Sequence, residues 1–404
     1  MVTFAPSDPA FLENPFPFYK MGLAMSPLFL PSPGMWLVFG YEDCLAILRD
    51  NQTWSSEFQR PRNMVESPPP PSMLGSDPPR HARLRGLVSQ AFTPRMVDAL
   101  EPRIREIADE LLSAKLPTGS MDLVHDLADP LPVIVISEIL GIPAADREKF
   151  KLWSDRVVAQ LGAGASGGDD ELPAATFEEM RDYFRAMVDE RRAHPRQDLI
   201  SGLVGAEIDG EKLNFDELLQ MLILLLVAGN ETTTNLIGNA VLEFMAHPEQ
   251  LARLRADISL LPGAIEEVLR FNSPVQATVR RATRDVRFGE KTIEHGQQVV
   301  VWLASANRDA AVFPEPETFD ITRTPNRHLA FGQGIHFCLG APLARLEAKV
   351  ALEEFILRTS HFERTDSKLL PRVPTFIMRG VRKLPLAVTA KLPATVEAAV
   401  ILAR

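Results

Sequence analysis

The sequence predicts a mainly α fold with a minor β part, organised as one large domain. Three observations carry this. Residues 213–244, LNFDELLQMLILLLVAGNETTTNLIGNAVLEF, stay largely apolar and helical in pattern with no proline to break them. A second helical pattern, LGAPLARLEAKVALEEFIL, follows Cys338, with Pro342 early and no later breaker. Strand patterns are short and separated by turn signals, and no linker or internal repeat divides the 404 residues.

Composition narrows the function classes. A formal net charge of −10 argues against a general nucleic-acid binder and leaves room only for a local basic face. Only Cys44 and Cys338 are present, so no disulfide framework is expected and a cytoplasmic, reducing compartment fits. The N-terminus has no basic segment followed by an apolar core, so neither a secretory signal nor a membrane anchor is expected. The apolar run 218–229 is too short to span a bilayer and reads as a buried helix.

Taken in order, GMWLVFGYEDCLAILRD (34–50) reads as a short strand followed by an amphipathic helix that buries Cys44 as a small apolar residue. Residues 54–76 contain four consecutive prolines, Pro68 to Pro71, and read as a loop. In DPPRHARLRGLVSQAFTP, Asp77 is placed to cap a helix starting at Pro78 and Pro79, with His81 and Arg85 on one face. From 96 to 161 the pattern is helical, and LADPLPVIVISEILGIP gives a buried helix between proline breaks. The glycine-rich, acidic stretch 162–173 reads as a flexible connection.

Within 213–244, Ala228 and Gly229 are small enough to admit a flat group beside the helix. Glu231, Thr232, Thr233 and Thr234 follow, and acids or hydroxyls in an apolar helix are costly unless they are used or satisfied. In EEVLRFNSP, Glu267 and Arg270 have the spacing of a helical side-chain pair. VQATVRRATRDVRFGEKTIEHGQQVVVWLASANRD alternates and should supply short strands, and VPTFIMRGVRKLPLAV two more with a turn.

Chemistry concentrates in residues 331–345, FGQGIHFCLGAPLAR. Gly332, Gly334 and Gly340 allow backbone conformations and close approaches that a side chain would forbid. A helix starting just after Cys338 offers N–H donors and partial positive charge, which favour a thiolate. Structural zinc would need more Cys or His ligands at short spacing, and His336 is a poor co-ligand. A cysteine nucleophile with a distant base remains open, as does a single axial thiolate on haem iron.

FGQGIHFCLG resembles the haem-binding loop of the cytochrome P450 family: Phe, Gly, a basic residue, then Cys-x-Gly. Other motifs in family order extend the resemblance along nearly the whole chain. It implies a single-domain cytochrome P450 fold, haem b as cofactor with Cys338 as axial ligand, and O2 as co-substrate. By the same resemblance Phe331, Gly332, His336 and Gly340 frame the haem, while Met73, Leu74, Ala228 and Gly229 touch it. His81, Arg85, Arg280 and His328 are expected to hold its propionates, Arg280 being preferred over Arg281.

AGNET resembles the family's oxygen-binding groove, with Glu231 as the acid and Thr232 as the alcohol of a proton relay. A helix merely bent by threonine back-bonding is the bland alternative. Asn230 is a departure that sets an amide beside this pair. Glu267, Arg270 and Arg323 resemble the Glu-x-x-Arg lock and its completing arginine. Val275 and Val279 should border the substrate pocket, with Thr375, Phe376 and Ile377 on its last loop, while 54–76 and 162–173 resemble the segments that close over it.

The activity implied is a monooxygenase that inserts one oxygen atom of O2 into a lipophilic small molecule, whether terpenoid, steroid, fatty acid or polyketide. No flavin or nicotinamide fingerprint is present, so electrons would come from a ferredoxin or flavodoxin with an NAD(P)H-dependent reductase. Arg80, Arg83 and Lys349 are candidates for its docking face. A peroxide-driven haem enzyme or an oxygen-independent isomerase would share Cys338 with less need of the Glu231–Thr232 pair. A non-enzymatic haem binder would need no relay at all.

Overall fold

A computed structural model describes residues 8–32, 34–57, 72–165 and 174–391. Its axis is the 32-residue helix Phe215–Ala246. Asn214 starts it with a capping box: the Asn214 side chain accepts the Glu217 N–H at 2.9 Å, and Glu217 accepts the Asn214 N–H at 3.2 Å. Helices Pro130–Leu140, Arg147–Ala165, Ala174–Ala193 and Ala341–Arg358 pack around it. Leu222, Ile237, Ala240 and Phe244 are fully buried in the resulting core. Truncating Leu222 to Ala would cost about 2–5 kcal/mol through lost transfer energy and the cavity left behind.

The sequence treats 218–229 as too short to span a membrane. The complete helix is long and apolar enough to do so, with a window of mean hydropathy 1.2, yet 61% of that window is buried within the protein. It is the core helix of the fold. The connection expected at 162–173 also begins later, because the helix Arg147–Ala165 continues through Gly162 and Gly164. The remainder of that stretch, and most of the proline loop at 54–76 with all four of its consecutive prolines, lie outside the described residues.

The β part is small. A five-stranded sheet runs Leu28–Leu30, Met35–Val38, Gln298–Val301, Thr278–Ala282, Trp54–Ser55, with only the second and third strands parallel. A second sheet orders Ser120–Asp122, Pro385–Ala390 and Thr359–Arg364. The C-terminal stretch read as two strands and a turn yields one strand, Pro385–Ala390, and isolated bridges from Met378 to Val275 and from Val381 to Arg372. Cys44 is fully buried on the helix Tyr41–Arg49.

One start signal is misread. Helix Arg80–Ala91 begins after Pro79, and the Asp77 carboxylate accepts from Ser55 and from the Ser56 N–H instead of capping it. Asp77 does supply the first helical carbonyl, which accepts the His81 N–H at 2.9 Å. Its side chain is diverted because the neighbouring Trp54–Ser55 strand offers stronger donors than a helix end starting with two prolines.

Candidate active site

The cysteine loop is shaped by two left-handed glycines, Gly332 at φ +69° and Gly334 at φ +71°. Gly334 is doubly constrained, since a Cβ there would lie 2.4 Å from the Leu48 carbonyl. Gly340 has an ordinary φ of −81°, and a Cβ there would meet nothing within 4 Å. Its side faces open space. The helix Ala341–Arg358 starts directly after it.

Cys338 sits at that junction, its own N–H donated to the Phe331 carbonyl at 2.9 Å. Backbone hydrogen bonding by Gly340 and Ala341 favours its thiolate, and the Ala341 N–H also reaches the Cys338 carbonyl at 3.4 Å. Burial nevertheless outweighs these donors and the charge of Arg85, so the thiol is pushed up in the protein alone. The helix end by itself does not make the thiolate that the sequence suggests. A metal ion on the sulfur would, because coordination deprotonates a thiol outright.

The middle of the central helix comes to the surface of the chain: Ala228 is exposed and Gly229 half-buried, while Val227 and Asn230 beside them are buried. A Cβ on Gly229 would meet nothing within 4 Å. The Thr232 hydroxyl donates to the Ala228 carbonyl at 2.7 Å, and Glu231 accepts from Asn235 at 3.3 Å. Asn230 turns away toward the helix Arg147–Ala165, where its amide reaches Ser154 at 3.3 Å.

A third group comes from separate segments. The rings of His81 and His336 lie 4.2 Å apart, and both Nε2 atoms are buried without a partner. Burial, then Arg280 and His81, pushes His336 down to about 3, and burial with Arg85 lowers His81, so both imidazoles are neutral at pH 7. Burial also pushes Arg280 down to about 10. The nearby carboxylate of Asp77 is already engaged by Ser55 and Ser56. Four basic groups around one committed acid favour further anionic acceptors.

These features fit haem: a cysteine at the start of a helix, open space at Gly229 and Gly340, and donors suited to two propionates. Met73 is buried in the turn Met73–Gly75, and Leu74 beside it is 56% exposed in the protein chain.

The other predicted site residues have their own surroundings in the chain. His328, expected at a propionate, has both ring nitrogens engaged in the chain alone: Nδ1 accepts the Ala330 N–H at 3.2 Å and Nε2 faces Glu266 at 3.1 Å. Phe376 is a core residue whose ring packs on Trp302 at 5.7 Å, and Thr375 is buried with its hydroxyl accepting the Ile377 N–H. Val279 and Ile377 are half-buried against that aromatic cluster, and Val275 packs against the cluster under the sheet. Arg80 and Arg83 both engage Glu217, Arg83 also meets Glu211 at 3.4 Å, and Lys349 meets Glu101 at 3.1 Å. All three cations are therefore paired with acids of the chain while staying partly exposed.

Glu267 and Arg270 are fully buried and forked together at 2.7 and 2.8 Å. Arg323 reaches Glu267 at 3.2 Å, and Arg270 binds the carbonyls of Asn307, Pro316 and Thr318. Sequence reasoning missed Glu266, Arg345 and Glu347. Arg345 lies in the quoted cysteine motif, but Glu266 stands beside Glu267 with no spacing signal of its own.

Comparison with known proteins agrees with this geometry. The family model described as Cytochrome P450 matches residues 171–384. Cytochrome P450 monooxygenase PikC of Streptomyces venezuelae is 42% identical, over 93% of this chain and 91% of its own. Cytochrome P450 CYP109Q5 from Chondromyces apiculatus superposes with a TM-score of 0.87 at 43% identity, covering 95% of this chain and 98% of its own. CYP109E1 from Bacillus megaterium, solved in complex with testosterone, gives 0.83 at 39% identity, covering 93% and 99%. Sulfur loop, groove helix and whole-chain likeness converge: the chain belongs to the cytochrome P450 family and is a haem b monooxygenase that uses O2.

Proposed function

We propose that Cys338 is the axial ligand of the haem iron and that the enzyme hydroxylates a lipophilic small molecule with electrons from an external partner. The observation that carries the reading is the place of Cys338, just before the helix Ala341–Arg358 and beside open space at Gly340, where backbone donors favour its thiolate. Such donors tune how strongly a thiolate donates to iron. When bound, thiolate-ligated haem supplies the dioxygen activation and the electron push that favours O–O cleavage.

The chain's own residues take the remaining tasks. His81, Arg85, Arg280 and His336 hold the propionates. Ala228 and Gly229 admit the ring against the central helix. Thr232 Oγ1 and Glu231 hold and pass protons at the groove. Glu267, Arg270 and Arg323 hold the segment leading to the cysteine loop.

For the substrate, a steroid is the first choice to screen, since CYP109E1 at 39% identity was solved with testosterone. Electrons would come from a ferredoxin or flavodoxin with its NAD(P)H-dependent reductase, in the cytoplasm.

The test is the difference spectrum of the dithionite-reduced, haem-loaded protein with carbon monoxide. Wild type should show the strongly red-shifted Soret band of thiolate ligation, and Cys338→Ser should lose it while keeping the fold by circular dichroism. Wild-type protein that holds haem without that band removes Cys338 as ligand and the monooxygenase reading of this site with it.

A further inference from the structure

Helix Leu261–Phe271 carries two adjacent carboxylates that face different partners. Glu267 is spent on Arg270 and Arg323. Glu266 meets residues from both sides of the cysteine loop. Arg345, beyond Cys338, forks onto it through Nε at 2.7 Å and Nη2 at 2.9 Å. His328, before the loop, reaches it through Nε2 at 3.1 Å.

The protonation pattern follows from the contacts. Because Ala330 N–H donates to His328 Nδ1, that nitrogen is the acceptor, and the ring proton on Nε2 is given to Glu266. Burial would raise the Glu266 carboxyl, but Arg345 and His328 hold it down at about 2, so it stays ionised. The Arg345 guanidinium also lies over the Phe331 ring at 4.4 Å, and the Phe331 carbonyl accepts the Cys338 N–H at 2.9 Å. A continuous chain of contacts therefore runs from Glu266 through Arg345 and Phe331 to the backbone of the cysteine.

We infer that Glu266 is a positioning residue that clasps the two ends of the cysteine loop, with Arg345 on one side and His328 on the other, and so fixes the direction in which the Cys338 sulfur meets the haem iron. This rests on the reading of Cys338 as the ligand. Groups that orient a metal ligand without touching the metal commonly govern its affinity and electronic character. A carboxylate suits the task because it accepts the planar Arg345 fork in one geometry. The neighbouring Glu267 cannot substitute, being closed around Arg270.

The experiment uses haem-loaded wild type, Glu266→Ala, Glu266→Gln and Arg345→Lys. Each is reduced, bound to carbon monoxide and followed as the thiolate-type band converts to the blue-shifted band of a neutral ligand. The temperature is one at which circular dichroism shows all four folded. Glu266→Ala should convert about 10–100-fold faster than wild type, the range typical of lost outer-shell partners. Glu266→Gln and Arg345→Lys should fall between, and the haem reduction potential should shift in the same order.

A folded Glu266→Ala with the wild-type conversion rate and potential overturns the clasp, as does a lower thermal midpoint with no spectral change. If Glu266→Ala takes up no haem, Glu266→Gln decides by the same two readouts. Wild type lacking the thiolate band overturns the ligand reading itself, whereas a wild-type band with indistinguishable variants overturns only the clasp.

Discussion

Thr232 donates its hydroxyl proton to the Ala228 carbonyl at 2.7 Å, as a threonine bending its own helix would. The two readings of this residue are compatible. Donation to Ala228 fixes the hydroxyl rotor and leaves the oxygen lone pairs as acceptors at the groove, beside Glu231. Thr232→Ala should therefore bind haem and substrate as wild type does. It should also release more hydrogen peroxide per NADPH consumed, with product formation falling toward the ~10²-fold loss that follows removal of a positioned proton-transfer group. Thr232→Ser, which keeps a hydroxyl, should recover most of the coupling. Peroxide and product titrated against NADPH oxidation decide it, and unchanged coupling in Thr232→Ala removes the relay role. At this scale it is the family resemblance, more than spacing, that singles out residues in advance: Cys338 by its loop, Thr232 by AGNET. It does not foresee how His328 is held, because a histidine near the loop reads as a free base. Only three-dimensional contacts reveal that Ala330 and Glu266 occupy both its nitrogens.

Between elements, helix Ala341–Arg358 lies along the central helix and carries Glu347 fully buried into that contact. Burial pushes its carboxyl from 4.5 up to about 8, with the Thr233 hydroxyl offsetting only part. Folding thus carries a neutral acid at pH 7. The unfolded chain loses this proton near pH 4.5 and the folded chain only near pH 8, so in that interval the unfolded state binds fewer protons and stability falls as pH rises. Above about pH 8 the contribution levels off. Glu347→Gln, neutral at every pH, should flatten this decline and gain most over wild type at the alkaline end. Urea unfolding midpoints across pH 5 to 8 measure it, and parallel slopes for the two proteins would show that Glu347 is not carried neutral. Hydrophobic period places this helix correctly, but it cannot distinguish a buried glutamate from a solvated one in LARLEAKVALEE. The same limit explains Asp77, whose position before two prolines reads as a cap while its partners come from a strand distant in sequence.

For the whole molecule, the proposed haem site would draw on the helix Arg80–Ala91, the strand Thr278–Ala282, the cysteine loop and the central helix. These segments are far apart in sequence, and only the resemblance to a known family joins them in advance. At this scale Arg80 and Arg83, expected on a docking face, are drawn onto Glu217 at the start of the central helix, a pairing that spacing cannot foresee. In the chain alone, His81, His336 and Arg280 crowd together with their charges or Nε2 atoms uncompensated. Haem binding supplies what they lack, so the cofactor should act as a keystone between helices and sheet. A ligand present at a thousandfold its dissociation constant adds about 4 kcal/mol of stability. Haem-free protein should therefore unfold at a lower temperature and lose amide-exchange protection first in Arg80–Ala91 and in residues 331–340. The C-terminal half of the central helix, packed into the core through its own Ala240 and Phe244, should keep its protection. Calorimetry and hydrogen exchange on haem-loaded and haem-free samples test this directly. Equal midpoints, or a loss of protection spread evenly over the chain, would mean that the cofactor occupies the fold without holding its parts together.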